Sequence, residues 1–279
     1  MAAIDRDTGL GTTYERIAVA RMLEALAGRH RIERVLEGPS DGITGIRGLN
    51  SVPLARAGAS VELVLSDPAE VDLARRVWER LGLAERLTVR ATSGFRLEAE
   101  PGAFDLVWNF NSIPQVPDPR CLIREMCDAS REFVLVCTSN TWNYGFPVHR
   151  LHHRAARERW DHGDPAMMNP RRIARFLSDE GFDVVERILV DVPWWPDIDS
   201  PIEEVIATFL PFLKKRVRTS KRLEHYTWTA DDLPYFDPEK RTALLREIGR
   251  HFAIEEARGL PGRLLFAHHR GILARRSRR

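Results

Sequence analysis

A chain of 279 residues is long enough for one large α/β domain, or for such a domain carrying a smaller cap. A hydrophobic share of 43% beside a charged share of 29% excludes general disorder, and a formal charge of +2 excludes a whole-chain electrostatic footprint for nucleic acid. Cys121, Cys127 and Cys137 have no metal-ligand spacing, no apolar run reaches the roughly 20 residues of a spanning helix, and the first residues lack a signal-peptide core, so a cytoplasmic protein with no membrane span is expected.

In chain order, Thr12-Thr13-Tyr14-Glu15 predicts a capping box, with Thr12 as N-cap and Glu15 at the third helical position, opening a helix that Gly28 stops. A strand over 32–37 then runs into a loop with glycines at 38, 42, 45 and 48, followed by a helix over 52–57. The run 61–65 is a second strand, after which Asp67 can cap a helix with Pro68 at its first position and Glu70 at its third. Further strands fall at 87–91, 104–110 and 133–137, and Asp118-Pro119 opens the helix between the last two.

Beyond Cys137 an aromatic and histidine-rich stretch interrupts the rhythm. Asn169-Pro170 then starts a helix that ends at Gly181, 182–192 form a strand and 263–275 form one more. Between these last two strands, helical patterns occur at 202–213 and 242–257. The basic run from Lys214 to Arg222 fits a solvated helix face and the terminal arginines a frayed tail. Alternating strands and helices imply a parallel sheet covered on both faces.

Three stretches carry a family resemblance: Val35-Leu36-Glu37-Gly38 into the glycine loop, Leu81 to Leu87 before the third strand, and Phe104-Asp105-Leu106-Val107-Trp108-Asn109 running on to Pro117-Asp118-Pro119. Over residues 12–192, and again in the last strand, the order of elements resembles the class I S-adenosylmethionine-dependent methyltransferases. The resemblance implies an α/β, Rossmann-like, doubly wound and mostly parallel seven-stranded sheet with an inserted helical cap. Residues 1–196 would form the cofactor-binding domain, 197–262 the cap, and 263–279 the last strand and basic tail.

It also implies S-adenosylmethionine as cofactor and a small-molecule acceptor methylated on oxygen or nitrogen. Glu37 and Gly38 would meet the methionine portion, with Gly42 among the loop glycines in contact, although the spacing of the glycines departs from the family pattern. The ribose carboxylate expected at the end of the second strand is replaced by Leu65. Asp67 either substitutes for it or serves only as a helix cap. Ser93 and Gly94 would lie on the adenine side, Asn109 would face the cleft, and Tyr14 would cover the methionine carboxylate or simply pack.

Methyl transfer asks the protein to align an acceptor and, for some acceptors, to remove a proton. The stretch from Asn140 to His149 follows the fifth strand, where open α/β sheets bind ligands, and places Trp142, Asn143 and Tyr144 among candidate substrate-binding residues together with Asn111 and His153. His149 is the candidate general base, the alternative being that it and its neighbours are surface histidines of an amphipathic helix. A metal reading of His149, His152, His153, Asp161, His162 and Asp164 is not adopted, because the spacing is no tight signature.

Trp194, Trp195, Tyr226, Trp228, Tyr235 and Phe236 would wall an acceptor pocket or fill the space between cap and sheet. The absence of Gly-x-Gly-x-x-Gly argues against a dinucleotide reductase. A different reaction of the same cofactor, such as alkyl transfer or cyclisation, and a cofactor-less binding protein stay open as alternatives, as does a homodimer.

Overall fold

The computed structural model describes residues 4–40, 45–93, 95–157, 159–198, 225–257 and 259–278. Gly42, Gly94, the helical pattern over 202–213 and the basic run from Lys214 to Arg222 lie outside them. A short strand β1 (Arg6–Thr8) leads into helix α1 (Gly9–Arg29). There follow β2 (Arg34–Glu37), α2 (Val52–Arg56), β3 (Ser60–Leu65), α3 (Pro68–Arg80), β4 (Leu87–Ala91), β5 (Phe104–Phe110), α4 (Pro119–Ala129) and β6 (Ser130–Ser139). The second half carries α5 (Phe146–Ala156), α6 (Pro170–Asp179), β7 (Phe182–Val190), β8 (Thr227–Thr229), α7 (Pro238–Ile248), α8 (Ala253–Glu256), α9 (Arg263–Phe266) and β9 (His269–Arg276).

Seven strands form one sheet in the order β4-β3-β2-β5-β6-β9-β7. Neighbours from β4 to β6 run parallel, and β9 is inserted antiparallel between β6 and β7. The expected mostly parallel, doubly covered, seven-stranded sheet is therefore what forms. One face packs against α1, α2 and α3 through Ile17, Leu23, Val52, Leu63, Trp78 and Trp108; the other packs against α4 and α6 through Val107, Ile123, Met126, Val134 and Leu177. Strand β5 is buried along its whole length, as a central strand covered on both sides must be.

Local chemistry sets most boundaries. Asp67, Asp118 and Asn169 each accept a backbone N–H in the first turn of the helix they precede, and proline occupies the opening position of all three helices. Asp67→Ala is accordingly expected to cost about 1 kcal/mol of stability, read as a lower urea midpoint with an unchanged slope.

Two sequence expectations are corrected. Helix α1 starts at Gly9, not after Thr12, and the hydroxyls of Thr12 and Thr13 donate back to the carbonyls of Thr8 and Gly9 inside the helix. Pairing of β1 with β8 delivers the chain to this point, and Gly9, at φ +91°, makes the turn into the helix. The run expected as a strand over 263–275 divides into α9 and β9, because an apolar run such as Leu264-Leu265-Phe266 has no period that separates helix from strand.

Residues 225–257 pack on α1. Phe252 stacks on Tyr14 at 4.0 Å between centroids, Arg241 pairs with Glu24, and Arg21 with Glu256. Tyr235 and Phe236 are buried in the same cluster as α1, so these two aromatic side chains fill core.

Candidate active site

The strand order reverses direction between β2 and β5, and ligands of open α/β sheets bind outside the carboxyl ends of the strands at such a switch point. Glu37 ends β2 there, fully buried. Its Oε1 accepts from Ser40 Oγ at 2.9 Å, and its Oε2 accepts from Ser51 N at 3.1 Å and Ser51 Oγ at 2.6 Å. Burial holds its pKa above the usual carboxylate value, against the pull of the two serines and the charge of Arg16. Asn109, at the end of β5, donates its amide to the carbonyls of Gly38 and Pro39, and Ser112 Oγ donates to Pro39 as well. A Cβ on Gly38 would stand 2.8 Å from Cβ of Val64, so close approach to β3 requires glycine at this position.

The far half of the glycine loop is tied to the amino terminus. Asp7 accepts from Arg16 Nε at 2.9 Å, from Ile46 N at 2.7 Å and from Tyr235 OH at 3.0 Å. Arg16 also donates to the carbonyl of Ile46 and, at 2.7 Å, to Asn50 Oδ1. Gly45, at φ +92°, lies so close that a Cβ would fall 2.1 Å from Asp7 Oδ1.

On the adenine side of the implied site, Asp67 is half-buried and caps α3, and Ser93 is exposed. Thr92, next to Ser93 in the chain, is buried, its N–H bonded to Leu65 O, and its hydroxyl has no hydrogen-bond partner. The Nδ2 of Asn50 is likewise buried without one.

At the same carboxyl edge, across β6, β9 and β7, four titratable groups gather. His269 is paired with Ser139 at the end of β6, Asp191 follows the last residue of β7, and α1 brings Glu15 above them. His269 Nε2 lies 3.9 Å from Glu15 Oε2, and His269 Nδ1 lies 3.5 Å from Asp191 Oδ2, which His268 Nδ1 approaches at 3.1 Å. Burial raises the Glu15 carboxyl to about 7, opposed by the charge of His269. Burial would also raise Asp191, but the charge and hydrogen bond of His268 hold it at about 2. Burial works against the protonated forms of both histidines, yet Asp191 raises His268 to about 10 and, with Glu15, raises His269. The group is therefore mixed in charge, with one carboxyl placed to exchange a proton near neutrality.

The other candidate residues divide. Tyr14 is completely buried, and its hydroxyl donates to Glu255 at 2.7 Å. Asn111, at φ +56°, accepts from Ser139 N and Oγ. Asn143 is spent bracing the loop after β6 against the carbonyls of Phe266 and Ala267. Trp142 is exposed, as is Tyr144, whose hydroxyl donates to Trp194 O. His149 and His153 face each other on α5 with Nε2 atoms 3.1 Å apart, and His162 Nε2 lies 3.0 Å from that of His153.

No family model and no curated protein sequence matches the chain. Solved structures do match. One is magnesium protoporphyrin IX methyltransferase from Synechocystis PCC 6803 with bound S-adenosylhomocysteine, at TM-score 0.54 and 14% identity, covering 96% of this chain and 84% of that one. The chain has the fold of the class I S-adenosylmethionine-dependent methyltransferases. A second structure with this methyltransferase fold is geranyl diphosphate C-methyltransferase from Streptomyces coelicolor A3(2), at TM-score 0.50 and 14% identity over 92% of this chain and 76% of that one. A geranyl diphosphate methyltransferase with sinefungin reaches 0.52 at 15% identity, with coverage of 92% and 76%.

Within the methyltransferase fold, the residues that sequence reasoning overlooked are Asp7, Arg16 and Asn50 around the glycine loop, Thr92 after β4, and Glu15, Asp191, His268 and His269 at the opposite end of the edge. Adjacent histidines opening an apolar strand, His268-His269, were a usable signal, since a strand start at the sheet's ligand edge is a poor place for surface polarity alone. Nothing local marked Glu15 beyond its false role in a capping box.

Proposed function

We propose that the chain is an S-adenosylmethionine-dependent methyltransferase that acts on an oxygen or nitrogen of a small-molecule acceptor, with Glu15 as the proton acceptor. The observation that carries this is the Glu15–His269–Asp191 group, its His269 and Asp191 buried and Glu15 reaching solvent, at the carboxyl edge of a sheet with the methyltransferase fold. Solved structures of that fold hold S-adenosylhomocysteine or S-adenosylmethionine.

The chain's own residues fit such a cofactor. Two buried polar atoms without partners, Asn50 Nδ2 and Thr92 Oγ1, flank the ends of β2, β3 and β4, and an orphaned buried polar atom is costly unless a ligand satisfies it. Asn50 would meet the methionine end and Thr92 the adenine end, while Glu37, Gly38 and Asn109 would hold the loop in shape rather than touch the ligand. Asp67 remains a candidate for the ribose only in addition to its bond to Ala69 N. Bound cofactor supplies an electrophilic methyl group on a positively charged sulfur.

Glu15 stands next to Arg16 on α1, so one helix sets both the glycine loop and the proton acceptor. In its ionised form, Glu15 takes the proton of the acceptor's O–H or N–H as the new bond forms, then returns it to solvent, to which the side chain is 14% exposed. His269, 3.9 Å from Glu15 and 3.5 Å from Asp191, favours the ionised form of Glu15 through its charge, and Asp191 favours the charged form of His269. We place the base here rather than at His149, whose Nε2 is directed at another histidine. Residues 197–262 would form the cap that selects the acceptor, rooted on α1 through Phe252 and Glu255. Among the described residues no helix is long and apolar enough to cross a membrane.

Calorimetric titration with S-adenosylhomocysteine tests the proposal: heat consistent with one site per chain is expected, and no heat or thermal shift at millimolar ligand overturns it. Thr92→Val, which keeps shape and removes only the orphaned hydroxyl, should weaken that binding by about 0.5–1.5 kcal/mol without lowering stability.

A further inference from the structure

A second cluster belongs neither to the glycine loop nor to the Glu15 group. His149 and His153 are four residues apart on α5, which puts both imidazoles on one face. The helix ends at Arg157, in the left-handed region at φ +58°, and the chain turns back through Trp160 to present His162 to the same point. The ligand nitrogens of the three all lie within 4.8 Å of one another.

The loop that carries His162 is clamped. Trp160 Nε1 donates to Gly163 O at 2.7 Å, Asp164 N donates to Pro114 O at 2.7 Å, and a Cβ on Gly163 would stand 2.6 Å from that same carbonyl. The Trp160 ring packs against all three imidazoles at 4.8–5.5 Å between centroids. The three nitrogens are thus fixed by a helix, a pinned turn and an apolar wall.

We propose that His149, His153 and His162 bind a divalent transition metal ion through their Nε2 atoms, with zinc the best fit. Hydrogen bonding explains the arrangement less well. An imidazole nitrogen has a single in-plane lone pair or a single N–H, so Nε2 of His153 cannot be aligned with both Nε2 of His149 at 3.1 Å and Nε2 of His162 at 3.0 Å. A metal at the shared focus uses all three lone pairs at once. Zinc–nitrogen bonds of about 2.1 Å in tetrahedral geometry put ligand nitrogens about 3.4 Å apart, close to the 3.1 and 3.0 Å that separate Nε2 of His153 from those of His149 and His162. Asp161 Oδ1, 3.3 Å from Nε2 of His162, is in reach as a fourth ligand and brings the negative charge that three neutral imidazoles lack.

Because α5 follows the loop after β6 and the His162 turn is pinned to Pro114 after β5, the ion would sit on the acceptor side of the sheet edge. Three neutral nitrogens and an exchangeable carboxylate leave room for an anionic oxygen of a bound small molecule. Metal binding itself does not depend on the methyltransferase assignment.

The test is titration of the tag-free, chelator-treated full chain with Co2+, followed by displacement with Zn2+. One equivalent of Co2+ per chain with the visible absorption of a four-coordinate ion is expected, and on adding Zn2+ the imidazole proton signals of three histidines should shift. His162→Gln, and separately His153→Gln, should weaken binding by more than about 100-fold, beyond the loss of an outer-shell partner, while exposed His225→Gln changes nothing. No stoichiometric binding by the wild type, or no histidine shift, overturns the proposal. So does binding that survives His162→Gln in a folded variant, or that is lost instead in His269→Gln.

Discussion

Asp7→Ala is expected to lower the free energy of unfolding by about 3–5 kcal/mol, enough to remove a large fraction of the stability of an ordinary domain. Asp7 and Arg16 form an ion pair whose side chains are 0% and 2% exposed. The pair alone is weak evidence for stability, since desolvation offsets most of its attraction. Removing one member is different, because it strands the Arg16 guanidinium in the interior and leaves the N–H of Ile46 and the hydroxyl of Tyr235 without their acceptor. Urea unfolding monitored by circular dichroism measures the loss. A change below about 1 kcal/mol would mean that water reaches Arg16 and that the loop is not anchored as described.

Glu15→Gln should reduce turnover by about 10²–10⁴-fold while leaving S-adenosylhomocysteine affinity within about twofold of wild type, as expected for loss of a general base that does not touch cofactor. In the wild type, activity should rise as the carboxyl ionises around pH 7. Stability should move the other way. The folded protein keeps the Glu15 proton above the ordinary value of 4.5, so between 4.5 and about 7 the native state binds more protons than the unfolded one, and this contribution falls as pH rises. The glutamine variant lacks that loss and should melt no lower than wild type at pH 8. Full turnover with an unaltered pH profile would place the base elsewhere.

The fold was legible where its signals are local. Asp67-Pro68, Asp118-Pro119 and Asn169-Pro170 each specify a helix start within four residues, and the alternation of strands between them fixes a doubly covered parallel sheet. The amino-terminal capping box failed because the helix starts four residues upstream, set by a strand pairing with Thr227–Thr229 that no local pattern announces. The site divides in the same way. Glu37 and Asn109 were placed at the right strand ends by the order of elements, but their hydrogen-bond partners lie in the loop and were not visible. Glu15, Asp191 and His269 come together only through the insertion of β9 between β6 and β7. His149 and His153 share a face by helical spacing alone, whereas His162 joins them through one left-handed residue.

The same insertion of β9 has a consequence for synthesis on the ribosome. Among the described residues β7 pairs with β9 alone, and β9 also pairs with β6 on the side away from β5. At about 5–20 residues per second, the stretch from Val190 to His269 takes on the order of ten seconds to emerge after β7 is complete. Through that interval two bare strand edges, one of them the apolar run Phe133 to Cys137, stand open to other nascent chains. The growing polypeptide therefore passes through a window in which intermolecular strand pairing competes with closure, and only arrival of the last strand ends it.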